Sequence, residues 1–106
     1  ILILGFTFKE NCPDIRNTKV ADVYSSLQEF TPNIEVYDPW VDAEVVEAAY
    51  RIRISSELPG GSFDAVVLTV AHSCFLTLDY ARLKGRNGVL YDVKGVLPRN
   101  IVDARL

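Results

Sequence analysis

The sequence predicts a three-layer α/β domain built on a mainly parallel β-sheet. Aliphatic runs that read as strands buried on both faces alternate with segments of helical periodicity, and Gly, Pro and Asn punctuate the joints between them. The chain has 106 residues, of which 49% are hydrophobic. That length suits one domain with one core, since two halves would each bury too little surface.

Ile1 to Leu4 is a continuous aliphatic run ending at Gly5, the pattern of a strand covered on both faces. A polar stretch follows, and Pro13 prevents an early helix there. Asn17 or Thr18 is placed to cap a helix over Lys19 to Phe30. Val20, Val23, Tyr24, Leu27 and Phe30 recur at three- and four-residue steps and are expected on its buried face. Thr31-Pro32-Asn33 stops this helix, and Ile34 to Tyr37 reads as a second strand closed by Asp38-Pro39. Asp42 is predicted to cap a second helix running to about Tyr50, with Val45, Val46, Ala49 and Tyr50 inward. Arg51 to Ile54 suits a short edge strand, and Leu58 to Ser62 a loop. Phe63 to Ala71 is the strongest strand signal. A helical turn near Cys74 and another over Tyr80 to Lys84 precede a last strand at Val89 to Tyr91, and Pro98 opens a terminal turn. Strands alternating with helices imply βαβ units with right-handed crossovers, hence a Rossmann-like or flavodoxin-like arrangement.

Composition excludes several function classes. Eleven Lys plus Arg against 14 Asp plus Glu give a formal net charge of −3, which argues against a nucleic-acid surface. No apolar run approaches the ~20 residues of a membrane span, and the opening ILILGF lacks the basic region and length of a signal peptide. Two Cys make no disulfide framework, so a reduced, cytoplasmic setting is expected. The chain starts in mid-strand with no Met, as a piece of something longer would.

In parallel sheets of this kind ligands sit beyond the carboxyl ends of the strands. The loops of interest are then residues 6–17, 71–78 and 92–97, which hold Lys9, Asn11, Arg16, His72, Ser73 and Lys94. This edge is mostly cationic in an otherwise acidic domain, which suggests an anionic ligand. The glycine-rich phosphate fingerprints are missing: Gly5 is followed by Phe6 and Thr7, and Gly60-Gly61 precedes a strand. Side chains must therefore do more of the work. Lys9, Arg16 and Lys94 are either a phosphate clamp or three solvated cations. Cys12 is either a nucleophile beside Lys9 and Arg16 or a small loop residue. Cys12, His72 and Cys74 share the edge without the paired spacing of a structural zinc site, and no metal is expected. His72 alone can serve structure or ligand. Asp38 and Asp92, each at a strand end, offer either a receiver-like acidic centre or turn stabilisation, with Asp92 fixing the Lys94 loop. Trp40 and Phe75 read as packing residues.

The segment Gly5-Phe-Thr-Phe-Lys-Glu-Asn-Cys-Pro-Asp-Ile-Arg-Asn-Thr18 resembles the hallmark of the C-terminal domain of UDP-glucose/GDP-mannose dehydrogenases. Val36-Tyr-Asp-Pro39, Ala65 to His72 with Phe75, Tyr91-Asp-Val-Lys-Gly-Val-Leu97 and the closing Val102 to Leu106 agree in order, so the resemblance spans the chain. The spellings Lys9 to Arg16 and Asp92 to Leu97 are closer to bacterial UDP-N-acetylhexosamine 6-dehydrogenases than to the UDP-glucose enzymes.

The resemblance implies a larger enzyme with an N-terminal NAD domain, a central helical domain and this sugar-nucleotide domain, dimeric when complete. Such enzymes oxidise the C6 hydroxymethyl of a UDP-sugar to a carboxylate, using two NAD and a cysteine in a Gly-x-Cys motif that this chain lacks. No catalytic residue is therefore expected here, and Cys12 is not that nucleophile. Carried over by position, Phe8 and Lys9 match contacts to the sugar nucleotide, Lys94 a basic position near its phosphates, and Arg16 an arginine that reaches NAD. The other reading is a free-standing flavodoxin-like or receiver-like binding module.

Overall fold

The computed structural model describes every residue except Ser56 and Leu106. Its strands are β1 (Leu2–Leu4), β2 (Glu35–Tyr37), β3 (Ile54–Ser55), β4 (Ala65–Leu68), β5 (Val89–Asp92) and β6 (Ala104–Arg105). The helices are α1 (Val20–Gln28), α2 (Ala43–Tyr50) and α3 (Tyr80–Lys84), and short 3₁₀ turns occupy Ser73–Phe75 and Arg99–Ile101. Among the described residues the sheet order is β3-β2-β1-β4-β5-β6, and each of the pairings is parallel. This is the Rossmann order, not the flavodoxin one, and strand order reverses between β1 and β4.

Because β1 is central, alternate residues of it feed opposite cores. Leu2 and Leu4 join Val66, Leu68, Leu83 and Leu90 on one face. Ile3 joins Val20, Val36, Val46 and Ile54 on the other. All three β1 residues are fully buried, which is why the run is uninterrupted rather than alternating.

Several expectations are corrected. Helix α1 ends at Gln28, so Phe30 lies beyond it and is 84% exposed instead of buried. In α2 the inward stripe is Ala43, Val46 and Tyr50, three- and four-residue steps that leave Val45 and Ala49 on the outer side, exposed. The third strand starts at Ile54, and β4 is only Ala65–Leu68, a shorter span than Phe63 to Ala71. Strand β6 has no counterpart in the sequence reading, and Leu106 lies outside the described residues. At α1, Lys19 occupies the cap position, but the Thr18 hydroxyl accepts from the Val20 amide at 3.2 Å and donates to the Phe6 carbonyl at 2.7 Å. The helix start is thereby tied to the end of β1. Asp42 caps α2 as expected, accepting from the Glu44 amide at 3.0 Å.

Gly5 ends β1 with φ +104°, and a Cβ there would lie 2.6 Å from Val70 Cβ and 3.0 Å from the Val70 nitrogen. Both the backbone conformation and the contact with β4's exit exclude a side chain. Gly5→Ala is expected to lower unfolding free energy by roughly 3 kcal/mol, the sum of strain and overpacking, measurable by denaturant titration.

Candidate functional site

The carboxyl-terminal edge of the sheet is organised by two buried side chains. Asp38 follows β2 and is 2% exposed, and His72 follows β4 and is fully buried. Asp38 Oδ2 accepts from the Phe6 amide at 2.7 Å, the Thr7 amide at 3.2 Å and His72 Nε2 at 3.0 Å. Its Oδ1 accepts from the Trp40 amide at 2.8 Å. His72 Nδ1 lies 2.8 Å from the Asn11 amide nitrogen. An amide can only donate, so Nδ1 is the acceptor and the ring proton sits on Nε2, facing Asp38. The pair is a neutral imidazole against a carboxylate. Burial alone would push the Asp38 carboxyl up, but the bonds from His72, Phe6 and Trp40 outweigh it and hold it below the ordinary range.

These contacts fasten the long β1–α1 loop from several sides. The Thr7 hydroxyl lies 3.2 Å from His72 Nε2 and donates to the Lys9 carbonyl at 2.9 Å. The Asn11 side chain exchanges two bonds with Ser73, each 3.0 Å. Phe8 N–H donates to the Asp14 carbonyl, and the Tyr50 hydroxyl donates to the Ile15 carbonyl at 2.7 Å. On this fixed backbone Phe8 is 57% exposed and Lys9 points to solvent.

The β5–β6 loop is held the same way. Asp92, fully buried, accepts from the amides of Lys94, Gly95 and Leu97. Arg105 of β6 donates to the Leu97 carbonyl at 2.8 Å and lies 4.0 Å from Asp92 Oδ2. Asp92 thus fixes the Lys94 loop, as the structural reading of it expects. Lys94 itself is exposed.

Arg16 is exposed and pairs bidentately with Asp14 through Nε and Nη2, both at 3.0 Å. These bonds hold the Asp14 carboxyl below its usual range. The pair offsets part of the cationic character expected of this edge, yet leaves three of the five guanidinium donors for a ligand. The ion pairs among the described residues do not include Lys9 or Lys94.

Other candidates resolve differently. Asp38 and Asp92 cannot form one acidic centre: β1 and β4 stand between their strands, a separation of roughly 14 Å at ordinary strand spacing. Their oxygens are already filled by amides. Both ring nitrogens of His72 are likewise engaged, so it has no lone pair for a metal and cannot serve Cys12 as a base. Cys12 is half-buried and Cys74 exposed; burial and then the Asp38 charge push the Cys74 thiol up, away from the reactive thiolate. Phe75 is core, as expected. Trp40 remains 42% exposed, its ring stacked on His72 at 5.8 Å and 26°. A groove lined by Ile1, Asn33, Glu35, Phe63 and Asp64 lies at the opposite edge, where its carboxylates would repel an anion.

An edge with exposed Lys9, Arg16 and Lys94 and no glycine cradle agrees with what the chain matches. The UDP-glucose/GDP-mannose dehydrogenase family, UDP binding domain, covers residues 2–99. The chain belongs to this family. Over its whole length it is 45% identical to UDP-N-acetyl-D-glucosamine 6-dehydrogenase of Salmonella typhi and 41% to the protein of that name from Pseudomonas aeruginosa, in each case 26% of the relative. It is 28% identical to UDP-glucose 6-dehydrogenase of Drosophila melanogaster over 99 residues, 78% of this chain and 21% of that one. The chain therefore spans about a quarter of the length of the relatives it matches. In this UDP binding domain the structure places Phe8, Lys9, Arg16 and Lys94 at one edge, on the loops after β1 and β5. Nothing in the local sequence signals the role of His72 or the bracing by Arg105, whereas the Asp-Val-Lys-Gly turn signals the Asp92 network.

Asp38→Ala strands the Phe6, Thr7, Trp40 and His72 donors and is expected to cost roughly 4 kcal/mol in denaturant unfolding. Because its folded carboxyl is held below 3.8, the stability Asp38 contributes is present above that pH and lost as pH falls through the folded value. Acid unfolding curves of the wild type and Asp38→Asn should therefore converge below about pH 4, whereas a constant gap would exclude this linkage.

Proposed function

We propose that the chain is the sugar-nucleotide-binding part of a longer, NAD-dependent NDP-sugar 6-dehydrogenase. The longer enzyme oxidises the C6 hydroxymethyl of a UDP-sugar to a carboxylate for polysaccharide synthesis, in the cytoplasm and as a homodimer. The sugar is read as an N-acetylhexosamine, because the two relatives aligned along the whole chain carry that name. The observation that carries the reading is the fastened β1–α1 loop at the strand-order reversal, which presents Phe8 and Lys9 on the same sheet edge as the Lys94 loop. A loop already ordered before binding loses little further entropy when a ligand arrives.

In this reading Lys9 and Lys94 neutralise the pyrophosphate as point charges, and Phe8 covers an apolar face of the nucleotide. The chain's work is to bind and orient, and the reacting C6 lies against the remainder of the enzyme. NAD, when bound, supplies the hydride acceptor. The β1–α1 connection here, with a single glycine followed by Phe6, does not fit a dinucleotide cradle, so this chain's share of NAD is one contact. Arg16 fits it, with three donors left toward a phosphate.

In the longer enzyme Lys94→Ala is expected to raise the KM for the UDP-sugar by the equivalent of about 1–3 kcal/mol, roughly five- to 150-fold, with kcat changed far less. Unchanged kcat and KM would remove Lys94 from the site. The 106-residue chain with NAD and any UDP-sugar should give no turnover in a spectrophotometric NADH assay; turnover would overturn the binding-only role.

A further inference from the structure

His72 is the one histidine of the chain and the mechanism above does not use it. It is nevertheless bonded to both sides of Lys9. On one side Nε2, whose proton faces Asp38, lies 3.2 Å from the Thr7 hydroxyl, which donates to the Lys9 carbonyl at 2.9 Å. On the other, Nδ1 receives the Asn11 amide, two residues beyond Lys9. Asn11 has φ +55°, a conformation that costs a non-glycine residue about 1 kcal/mol or more. The bond to Nδ1 and the Asn11–Ser73 exchange hold it there. Asp38, Trp40 and Phe75 in turn hold the ring: the carboxylate fixes the tautomer, and the two aromatic rings lie 5.8 and 5.3 Å from it.

We propose that His72 is a positioning residue for ligand binding, with its Nδ1 as the acceptor that sets the Phe8–Lys9 segment in its binding conformation. The inference rests on the reading of Phe8 and Lys9 as ligand contacts. It separates the two ring nitrogens: Nε2 serves the buried network and hence folding, whereas Nδ1 serves the shape of the loop.

That division gives two variants with opposite losses. His72→Asn keeps an acceptor near the Nδ1 position and loses the Nε2 donor. His72→Gln keeps the Nε2 donor and loses the Nδ1 acceptor. In the longer enzyme, with UDP as the calorimetric probe and the UDP-sugar as substrate, His72→Gln is expected to raise the UDP Kd and the KM about tenfold with kcat within about twofold. His72→Asn should stay within about threefold of wild type in UDP affinity although it melts at lower temperature. Equal UDP affinities in the two variants, or an unchanged affinity in His72→Gln, would overturn the proposal. Should His72→Gln fail to fold, His72→Leu compared with His72→Asn decides instead: both lose the Nε2 donor, and Leu alone also loses the Nδ1 acceptor. A several-fold weaker UDP affinity in His72→Leu supports the proposal, and one equal to that of His72→Asn overturns it. Lys9→Ala distinguishes the two levels of the reading. Weaker UDP binding in Lys9→Ala with none in His72→Gln defeats only the positioning role, whereas no effect in Lys9→Ala defeats the assignment of the site.

Discussion

A parallel sheet directs its ligand-binding loops away from the ladder, and any backbone amide those loops bury must find a partner elsewhere. Here the buried Asp38 carboxylate and the His72 imidazole supply those partners for two loops at once, and His72 ties in the third. The carboxylate takes the amides that follow β1 and the amide of Trp40 after β2, and the imidazole, arriving from β4, takes the amide of Asn11. Neither group works without the other. An imidazole that accepts at Nδ1 must donate at Nε2, and a buried carboxylate has to be filled with donors. The strand-order reversal between β1 and β4 lies within this network, so the point where the fold opens toward ligand is also where its polar interior is most constrained.

Asp92 repeats the device at the other end of the edge. A buried carboxylate again collects successive amides, again shapes a loop carrying one exposed lysine, and is braced by Arg105 from the last strand. The two carboxylates are scaffolding, and the cations they position face solvent. This division explains how an acidic domain presents exposed cations at this edge: much of the negative charge there is inward, consumed by backbone N–H groups, or paired, as in Asp14 with Arg16. It also explains why no glycine-rich cradle is needed. In the proposed function the loop after β1 carries side chains to the ligand, and its tethers give it the order that a tight turn would otherwise provide.

Much of the fold is legible locally. The unbroken Leu2–Leu4 run, the β-branched Ala65–Leu68 segment and the Asp42 cap each announce an element through its own residues. Lys9, Arg16 and Lys94 are assigned to one edge simply because each follows a strand or its turn. The misses have physical causes. Phe30 extends the period of α1 past the point where the backbone turns away, so periodicity continued while burial did not. Val45 and Ala49 flank a stripe narrower than an eight-residue helix suggests. Strand β6 is two residues long and carries no periodic signal; it exists because β5 offers an open edge.

By itself the sequence determined the α/β class, the approximate position of each longer element, the cationic loops and, through the hallmark at Gly5–Thr18, the family. Those properties depend on neighbouring residues or on short motifs. The sheet order, the tautomer and burial of His72, the filling of Asp38 and Asp92 by amides, and the bracing by Arg105 were decided only in the tertiary structure. His72 finds its partners 34 to 65 residues away, and a contact of that range leaves no trace in local composition. The chemistry of a buried polar group is set by what surrounds it, and the surroundings exist only once the strands have been placed side by side.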